Sequence, residues 1–458
     1  MTSVFARQKL RAQELQILKD NIRKKLPVLN KAQIRRHRIP YHEALYLELQ
    51  EEGFAESANF LRSLIEYQDA IRNKAEPESL VWSKPLLKDH PEMIDELYNG
   101  IKSAEKAFQN NLFGEQCDSL LKLGIFYSNQ SDVWWWLAEQ IFVKAVNCVC
   151  CYNLDGGKRH AFSRYLYGRY LLLQAKNAER ANDQLRICRE LSIGRRWSTQ
   201  EILQIPQSIL YIECCSLLYK ALLIIAREIK QDDPLKAFKI CTIAQKRAID
   251  AQDKTGEADC LMELALCKMK ARDIKNSLSW FNKVLRMQNT LNNGVGVCET
   301  HIQLAFAYSS LGNVIEAKQH LTLLLKYSKE HSLKYFYGQA LRHLGEFHLN
   351  HAHPNEATKY LIEALQVFHE LDDYDNREQV KNLAAISAGQ ELLGEYRKLI
   401  QGCNKTKLGQ INIEKIISWK DKREEFWDKK CNLKMHASVA SMIIHQNNFL
   451  KENVVAIM

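Results

Sequence analysis

LALCKMKARDIKNSLSWFNKV at residues 264–284, LAFAYSSLGNVIEAKQHLTLL at 304–324 and LGEFHLNHAHPNEATKYLIEA at 344–364 lie over one another at an offset of forty residues. Leu264-Ala265, Leu304-Ala305 and Leu344-Gly345 open the three stretches. Ser277, Ala317 and Ala357 then hold a small residue in register. Phe281, Leu321 and Leu361 follow as large residues, and Val284, Leu324 and Ala364 as medium ones. A unit of this length cannot bury its apolar face alone and must stack on its neighbours. The reading predicts an all-α array of helical hairpins, a solenoid whose function lies in surfaces rather than in a pocket.

Working outward, the same pattern recurs upstream. Leu123-Gly124 with Tyr127 is followed by Ala138, Phe142 and Ala145. Tyr167-Gly168 is followed by Ala181, Leu185 and Cys188, and Ile224-Ile225 by Ala237, Cys241 and Ala244. This gives six units of roughly forty residues, with an insert around Gly194-Arg195-Arg196-Trp197. Small residues are needed where helices cross closely, and large ones four positions later fill the groove. Asp232-Asp233-Pro234, Gly312-Asn313 and His353-Pro354-Asn355 supply the turns. The predicted organisation is a basic arm over residues 1–40, a helical segment over 41–110, the array over 111–401, and a C-terminal loop with capping helices over 402–458. Pro85 marks a connector and Pro91 an early helix position. Two cap helices are predicted, at Ile413 to Lys430 and Ala437 to Asn453, since an open array end needs covering.

With 18 Gly and 8 Pro in 458 residues, long helices and short turns are favoured. No run of about 18 apolar residues appears, so no membrane-spanning helix is expected. The N-terminal region lacks the apolar core of a secretory signal. The 13 Cys fall almost entirely within helical patterns and read as free thiols used as small hydrophobes in the cytosol. The net charge of +10 is concentrated in residues 1–40, where five Lys and six Arg face only Glu14 and Asp20. Lys24, Lys25, Lys31, Arg35, Arg36 and Arg38 make this arm a candidate for binding a polyanion: an acidic protein tail, nucleic acid or a membrane surface. A solvated tail without a specific partner is the plainer alternative. Glu14, Asp20 and the scarcity of Ser count against a transit peptide.

No reactive centre is legible. Cys148-Val149-Cys150-Cys151 holds a C-x-x-C spacing, but a second paired motif for zinc is missing and only His160 stands near. His343, His348, His351 and His353 cluster on one helix and its turn. They are expected to face solvent or to cap rather than to hold a metal. Leu154-Asp155-Gly156-Gly157-Lys158 lacks the spacing and the preceding strand of a phosphate loop and reads as a turn. There is no nucleophile motif, no H-E-x-x-H and no dinucleotide fingerprint, so neither catalysis nor a cofactor is expected. Trp134-Trp135-Trp136 covers all sides of a helix turn, so at least one indole faces a partner or another segment of the chain. The stronger candidate is a groove lined by the first helix of each unit. Its inward positions are Leu121 and Ile125, then Met262, Leu266 and Met269, then Ile302 and Phe306, then Arg342, Glu346 and Leu349. A mostly apolar strip with Met suits an amphipathic helix of a partner protein. The competing reading is that these residues only pack unit on unit.

Leucine, glycine and tyrosine at Leu123, Gly124 and Tyr127, with the forty-residue units, resemble the tetratricopeptide repeat superfamily over roughly residues 111–400. The usual unit there is about 34 residues, so forty implies longer helices. Trp82-Ser83-Lys84-Pro85-Leu86, Pro91, Asp95, Leu97-Tyr98 and Ala104-Glu105-Lys106-Ala107 are similar to the segment preceding the repeats in an axonemal tetratricopeptide repeat family. Gly194-Arg195-Arg196-Trp197 and Ile417-Ser418-Trp419-Lys420 extend that resemblance over about residues 41–425. It departs from the family in the basic arm, in several turns without glycine, and in the tail. Chaperone-binding members of the superfamily hold a terminal carboxylate with Lys and Asn. Ile125, Leu266 and Phe306 stand at those positions here, which argues against such a clamp. The resemblance implies a non-catalytic scaffold or adaptor of the cytoplasm and cytoskeleton, in the axoneme of motile cilia and sperm flagella. Its implied partners are axonemal proteins, including dynein-arm components. The excess of charge on the arm adds the acidic microtubule surface, tubulin, to these. A cytosolic adaptor for signalling, cargo or cell polarity is the alternative. Nucleic-acid binding through the arm ranks behind both, and neither a small-molecule substrate nor a membrane is expected.

Overall fold

The forty-residue period resolves into two seventeen-residue helices separated by three-residue turns. The computed structural model describes residues 15–24, 30–76, 78–150, 154–200, 208–422 and 424–427. Among these the regular structure is helical, with one isolated bridge between Ser198 and Ile209 in the insert. The chain divides into two compact units, Met1–Ala221 and Leu222–Met458.

In the first unit, α1 (Lys31–Arg38), α2 (Tyr41–Glu51), α3 (Ala55–Lys74), the single turn α4 (Leu80–Ser83) and α5 (Pro91–Gln109) precede two helix pairs. The pairs are α6 (Phe113–Ser128) with α7 (Trp135–Val149), and α8 (Lys158–Leu173) with α9 (Ala178–Ser192). Helix α10 (Leu210–Ile229) contains the division between the units. The second unit continues with α11 (Pro234–Asp250), α12 (Lys254–Lys270), α13 (Ile274–Thr290), α14 (Gly294–Ser310) and α15 (Val314–Glu330). It ends with α16 (Lys334–Asn350), α17 (Pro354–Glu370), α18 (Tyr374–Gln401) and α19 (Lys407–Lys422).

The turns explain the period. Gln252, Arg272, Asn292, Gly312, Ser332, Ala352 and Asp372 recur every twenty residues with φ between 52° and 78°. After each, the next backbone N–H returns to the carbonyl five residues back, as in Asp273 to Lys268 at 3.0 Å and His353 to His348 at 2.9 Å. This left-handed closure satisfies carbonyls that a helix end leaves open. Only Gly312 adopts it without steric cost. The next helix is then capped by Asp253, Asn293 or Asp373, whose side chains accept from the N–H of Gly256, Gly296 and Asn376.

The small positions seen in the sequence are close crossings. A methyl group on Gly124 would lie 2.8 Å from Phe142, and one on Gly345 2.5 Å from Leu361. Phe142 and Leu361 are themselves buried. Glycine is therefore the residue that lets the second helix of each pair bring its large side chain against the first.

Pro91 opens α5 as expected, and Lys84 is extended before Pro85. Trp134 is buried with its ring edge-on to His90 (5.3 Å), and Trp136 lies 6.0 Å from Tyr67. The indole triplet thus meets other segments of this chain. Glu105 of α5, although buried, accepts from the N–H of Ser57 (2.6 Å) and Glu56 (3.2 Å), closing the start of α3.

The region after the array departs from expectation. Asn404 accepts from the Thr406 N–H (3.1 Å), and the turn it forms starts α19 at Lys407 rather than Ile413. The helix ends at Lys422, and residues 424–427 are irregular. Tyr396 of α18, Trp419 and Phe426 pack as an aromatic cluster with ring centroids 5.4–5.8 Å apart. The second predicted cap helix, Ala437 to Asn453, lies outside the described residues.

Candidate functional site

Each first helix of a pair in the second unit carries equivalent positions at forty-residue spacing. Asp259, Met262, Leu266 and Met269 on α12 match Glu299, Ile302, Phe306 and Ser309 on α14. They match Gln339, Arg342, Glu346 and Leu349 on α16. Met262, Leu266 and Met269 are half-buried against the cluster of Ala265, Phe281, Leu304 and Ala307. Ile302 packs on Cys298, Leu324 and Ala340, and Leu349 on the cluster around Leu361 and Phe368. Phe306 is the open member, 41% exposed, with its ring edge-on to His343 at 5.1 Å. Leu121, buried, and Ile125, half-buried, lie on α6 of the first unit. Much of the apolar strip therefore joins helix to helix as well as facing outward.

The polar members are held by neighbours. Arg342 donates to Asn376 (3.1 Å) and Gln379 (2.8 Å) of α18. Glu346 meets His343 Nδ1 at 3.1 Å. Burial works to raise the Glu346 carboxyl, but the bond to His343 and the nearby Arg342 outweigh it, leaving it below its ordinary value. The sequence reading missed an acidic pair in the same register. Burial pushes the Asp259 carboxyl up against the opposing pull of Arg227. Burial, then repulsion from Asp259, does the same to Glu299. Beside them buried Glu263 takes Arg227 Nε at 2.6 Å and Lys230 Nζ at 2.8 Å. The signal was present: Asp259 and Glu299 sit forty residues apart.

The basic arm is partly folded in. Asn30 and Gln33 form a reciprocal cap that starts α1. Arg35 pairs with Glu51 at 2.6 Å, and Arg36 grips Glu48 with two bonds of 2.9 and 2.6 Å. Those two arginines are committed to α2, while Lys24, Lys31 and Arg38 are exposed. Lys25 lies outside the described residues.

The other sequence candidates resolve as structure. Cys148 and Cys150 donate to carbonyls three residues back, and Cys151 lies outside the described residues. Asp155 accepts from the N–H of Gly157 and Arg159, which makes 154–158 an inter-helix turn. The histidines correct the expectation that they face solvent. His343 and His348 are buried because they lie on the core side of α16, and His351 Nδ1 bonds the Phe347 carbonyl at 2.7 Å. Among the described residues no group of His, Cys, Asp and Glu is arranged to hold a metal ion. No helix among them is long and apolar enough to cross a membrane.

Paired helices closing on a small-residue crossing, repeated at fixed spacing, define a tetratricopeptide-type helical-repeat protein, a class of protein–protein interaction scaffold. The chain is similar to Tetratricopeptide repeat protein 29 of Macaca fascicularis, 22% identical over 93% of this chain and 87% of that one. The protein of the same name from Homo sapiens is 22% identical over 86% and 81%, and that from Rattus norvegicus 26% over 53% and 50%. No family model matches the chain. Among solved structures, the apo form of RapI matches with TM-score 0.41 at 15% identity, covering 79% of this chain and 92% of that one. A signal-transduction ATPase with a tetratricopeptide repeat sensor from Pyrococcus horikoshii gives 0.36 at 12% identity, over 91% and 73%.

Proposed function

We propose that this protein is a non-catalytic scaffold of the axoneme of motile cilia or sperm flagella. In this reading it supports axoneme assembly and beating through contacts with dynein-arm-associated proteins. The observation that carries the reading is the similarity to Tetratricopeptide repeat protein 29 along 93% of the chain, together with the axonemal association that the resemblance implies. The groove supplies the contact. A partner helix would lay an apolar stripe over Phe306 and Leu266 and set a basic side chain near Asp259 and Glu299. The exposed Lys24, Lys31 and Arg38 would meet the acidic microtubule surface.

The test is localisation with a contact variant. Tagged wild-type protein should concentrate in the flagellum, and Phe306→Glu should disperse it while the helical circular dichroism stays unchanged. Wild-type protein that remains diffuse in flagellated cells, with normal beating after its loss, would overturn the reading. For the arm, co-sedimentation with microtubules should fall steeply with salt. Salt-independent binding would remove the arm from the account.

A further inference from the structure

Three pairs of cysteines meet across neighbouring helices, and one of them has what oxidation needs. Cys117 of α6 and Cys148 of α7 are in sulfur–sulfur hydrogen-bond contact. The helix pairing puts them there. Gly124 lies against Phe142. About two turns away from that crossing along each helix of the antiparallel pair stand Cys117 and Cys148. Cys188 of α9 meets Cys214 of α10 in the same way, and Cys214 Sγ also donates to the Leu185 carbonyl at 3.1 Å. Cys241 of α11 meets Cys267 of α12, next to Lys268, whose Nζ lies 4.8 Å over the Phe238 ring.

Accessibility separates the pairs. Cys117, Cys188, Cys214, Cys241 and Cys267 are fully buried, whereas Cys148 is half-buried. An oxidant in solution therefore reaches Cys148 first. Protonation separates the two sulfurs of that pair. The bond from Cys117, helped by Lys144 one turn back, holds the Cys148 thiol below its ordinary value against burial and the nearby Asp118. The same bond and burial push the Cys117 thiol well up. Cys267 is held down likewise by Cys241, but solvent does not reach it. Cys117 and Cys148 thus place a sulfur that ionises readily toward solvent and a protonated sulfur behind it. Redox-sensing cysteines have this form, an accessible thiolate beside a second thiol that resolves its sulfenic acid.

We propose that Cys117 and Cys148 are a redox pair that hydrogen peroxide closes into a disulfide between α6 and α7. The Cys148 thiolate attacks the peroxide. An S–O bond forms, the O–O bond breaks, and the hydroxide released takes up a proton as water. Cys117 then attacks that sulfur. The S–S bond forms, the S–O bond breaks, and the oxygen leaves as water with the Cys117 proton. Two thiols lose two electrons, and one peroxide gains them as two waters. The new bond closes the loop over residues 117–148 and ties α6 to α7 until a thiol reductant attacks it. Cys150 is exposed, but its Sγ donates back to the Asn147 carbonyl at 3.2 Å rather than to Cys148. The pair needs neither the groove nor an axonemal partner in order to act.

The test uses the full chain, reduced, freed of reductant and exposed to limiting hydrogen peroxide. Peptide mapping by mass spectrometry without reduction should show Cys117–Cys148 as the first cross-link, reversed by dithiothreitol. It should form at least about tenfold faster than Cys188, Cys214, Cys241 or Cys267 is oxidised, since access and thiolate fraction set the rate. Cys117→Ala should leave Cys148 as a sulfenic acid that dimedone traps. Hydrogen exchange in α6 and α7 should slow on oxidation of wild type and not of Cys117→Ala. A first cross-link from Cys148 to Cys150, Cys151 or a second chain would overturn the proposal. So would over-oxidation of Cys148 with Cys117 left reduced, or Cys148 reacting no faster than the buried cysteines. Unchanged exchange once the Cys117–Cys148 bond has formed would overturn it as well.

Discussion

His301 and His320 face each other through their Nδ1 atoms at 3.1 Å, with Tyr308 stacked on the His320 ring at 5.3 Å. Such a contact is a hydrogen bond only while one Nδ1 carries a proton and the other does not. Burial, and then repulsion from His320, holds His301 down to about 4. Burial lowers His320 as well. An unfolded histidine titrates near about 6.5. Between those values the unfolded chain binds more protons than the folded one, so stability rises with pH. The contribution is complete above the unfolded value and lost as pH falls from about 6.5 toward 4. A displacement of that size is worth about 3 kcal/mol in full, of which about 2 kcal/mol falls between pH 7 and pH 5. Urea unfolding of the full chain at the two pH values should show wild type losing about 2 kcal/mol more than His301→Gln. Other depressed histidines, such as His160 and His348, act in both proteins and cancel in the difference. Equal acid losses, or an NMR titration placing His301 at its ordinary value, would refute the reasoning.

The close crossings and the turns give two further expectations. Gly345→Val should destabilise by about 1–3 kcal/mol in thermal or urea unfolding, because the added atoms meet Leu361 at 2.5 Å or less. Ala352→Gly should stabilise by about 1 kcal/mol by relieving a left-handed backbone that alanine disfavours (φ 57°). A neutral result there would mean that the turn tolerates a side chain without strain.

The architecture was legible because it rests on spacing. Gly124, Gly168 and Gly345 sit where a helix must pass closely, and Pro91 where a helix must begin. What spacing does not carry was harder to read. The left-handed positions at Arg272 and Ala352 have residue types that signal nothing, since the closure comes from backbone bonds to the preceding helix. The concentration of Lys and Arg made residues 1–40 look like a single arm. The partners that fold Arg35 and Arg36 against α2, Glu51 and Glu48, lie twelve or more residues away and follow no periodic rule. In the proposed groove, register places Met262 and Leu266 at equivalent positions of a first helix. How far each is covered depends on neighbours such as Phe281 and Leu304, which no single helix reveals. The acidic pair of Asp259 and Glu299 keeps the forty-residue register, but what raises its carboxyls is desolvation by neighbouring helices, which spacing does not carry.

The left-handed residues at twenty-residue intervals also bear on how this chain can change in length. Internal duplication or loss of forty residues would return every helix to its own role, with Phe281-like and Leu304-like contacts reformed at the seam. A step of twenty would put a second helix where a first helix belongs and set two large faces against each other. Inside the regular stretch from Lys254 to Glu370, a duplication or loss that keeps every helix stacked is therefore a whole multiple of the longer interval, whereas extra residues elsewhere, as at Gly194–Trp197, are carried between helices.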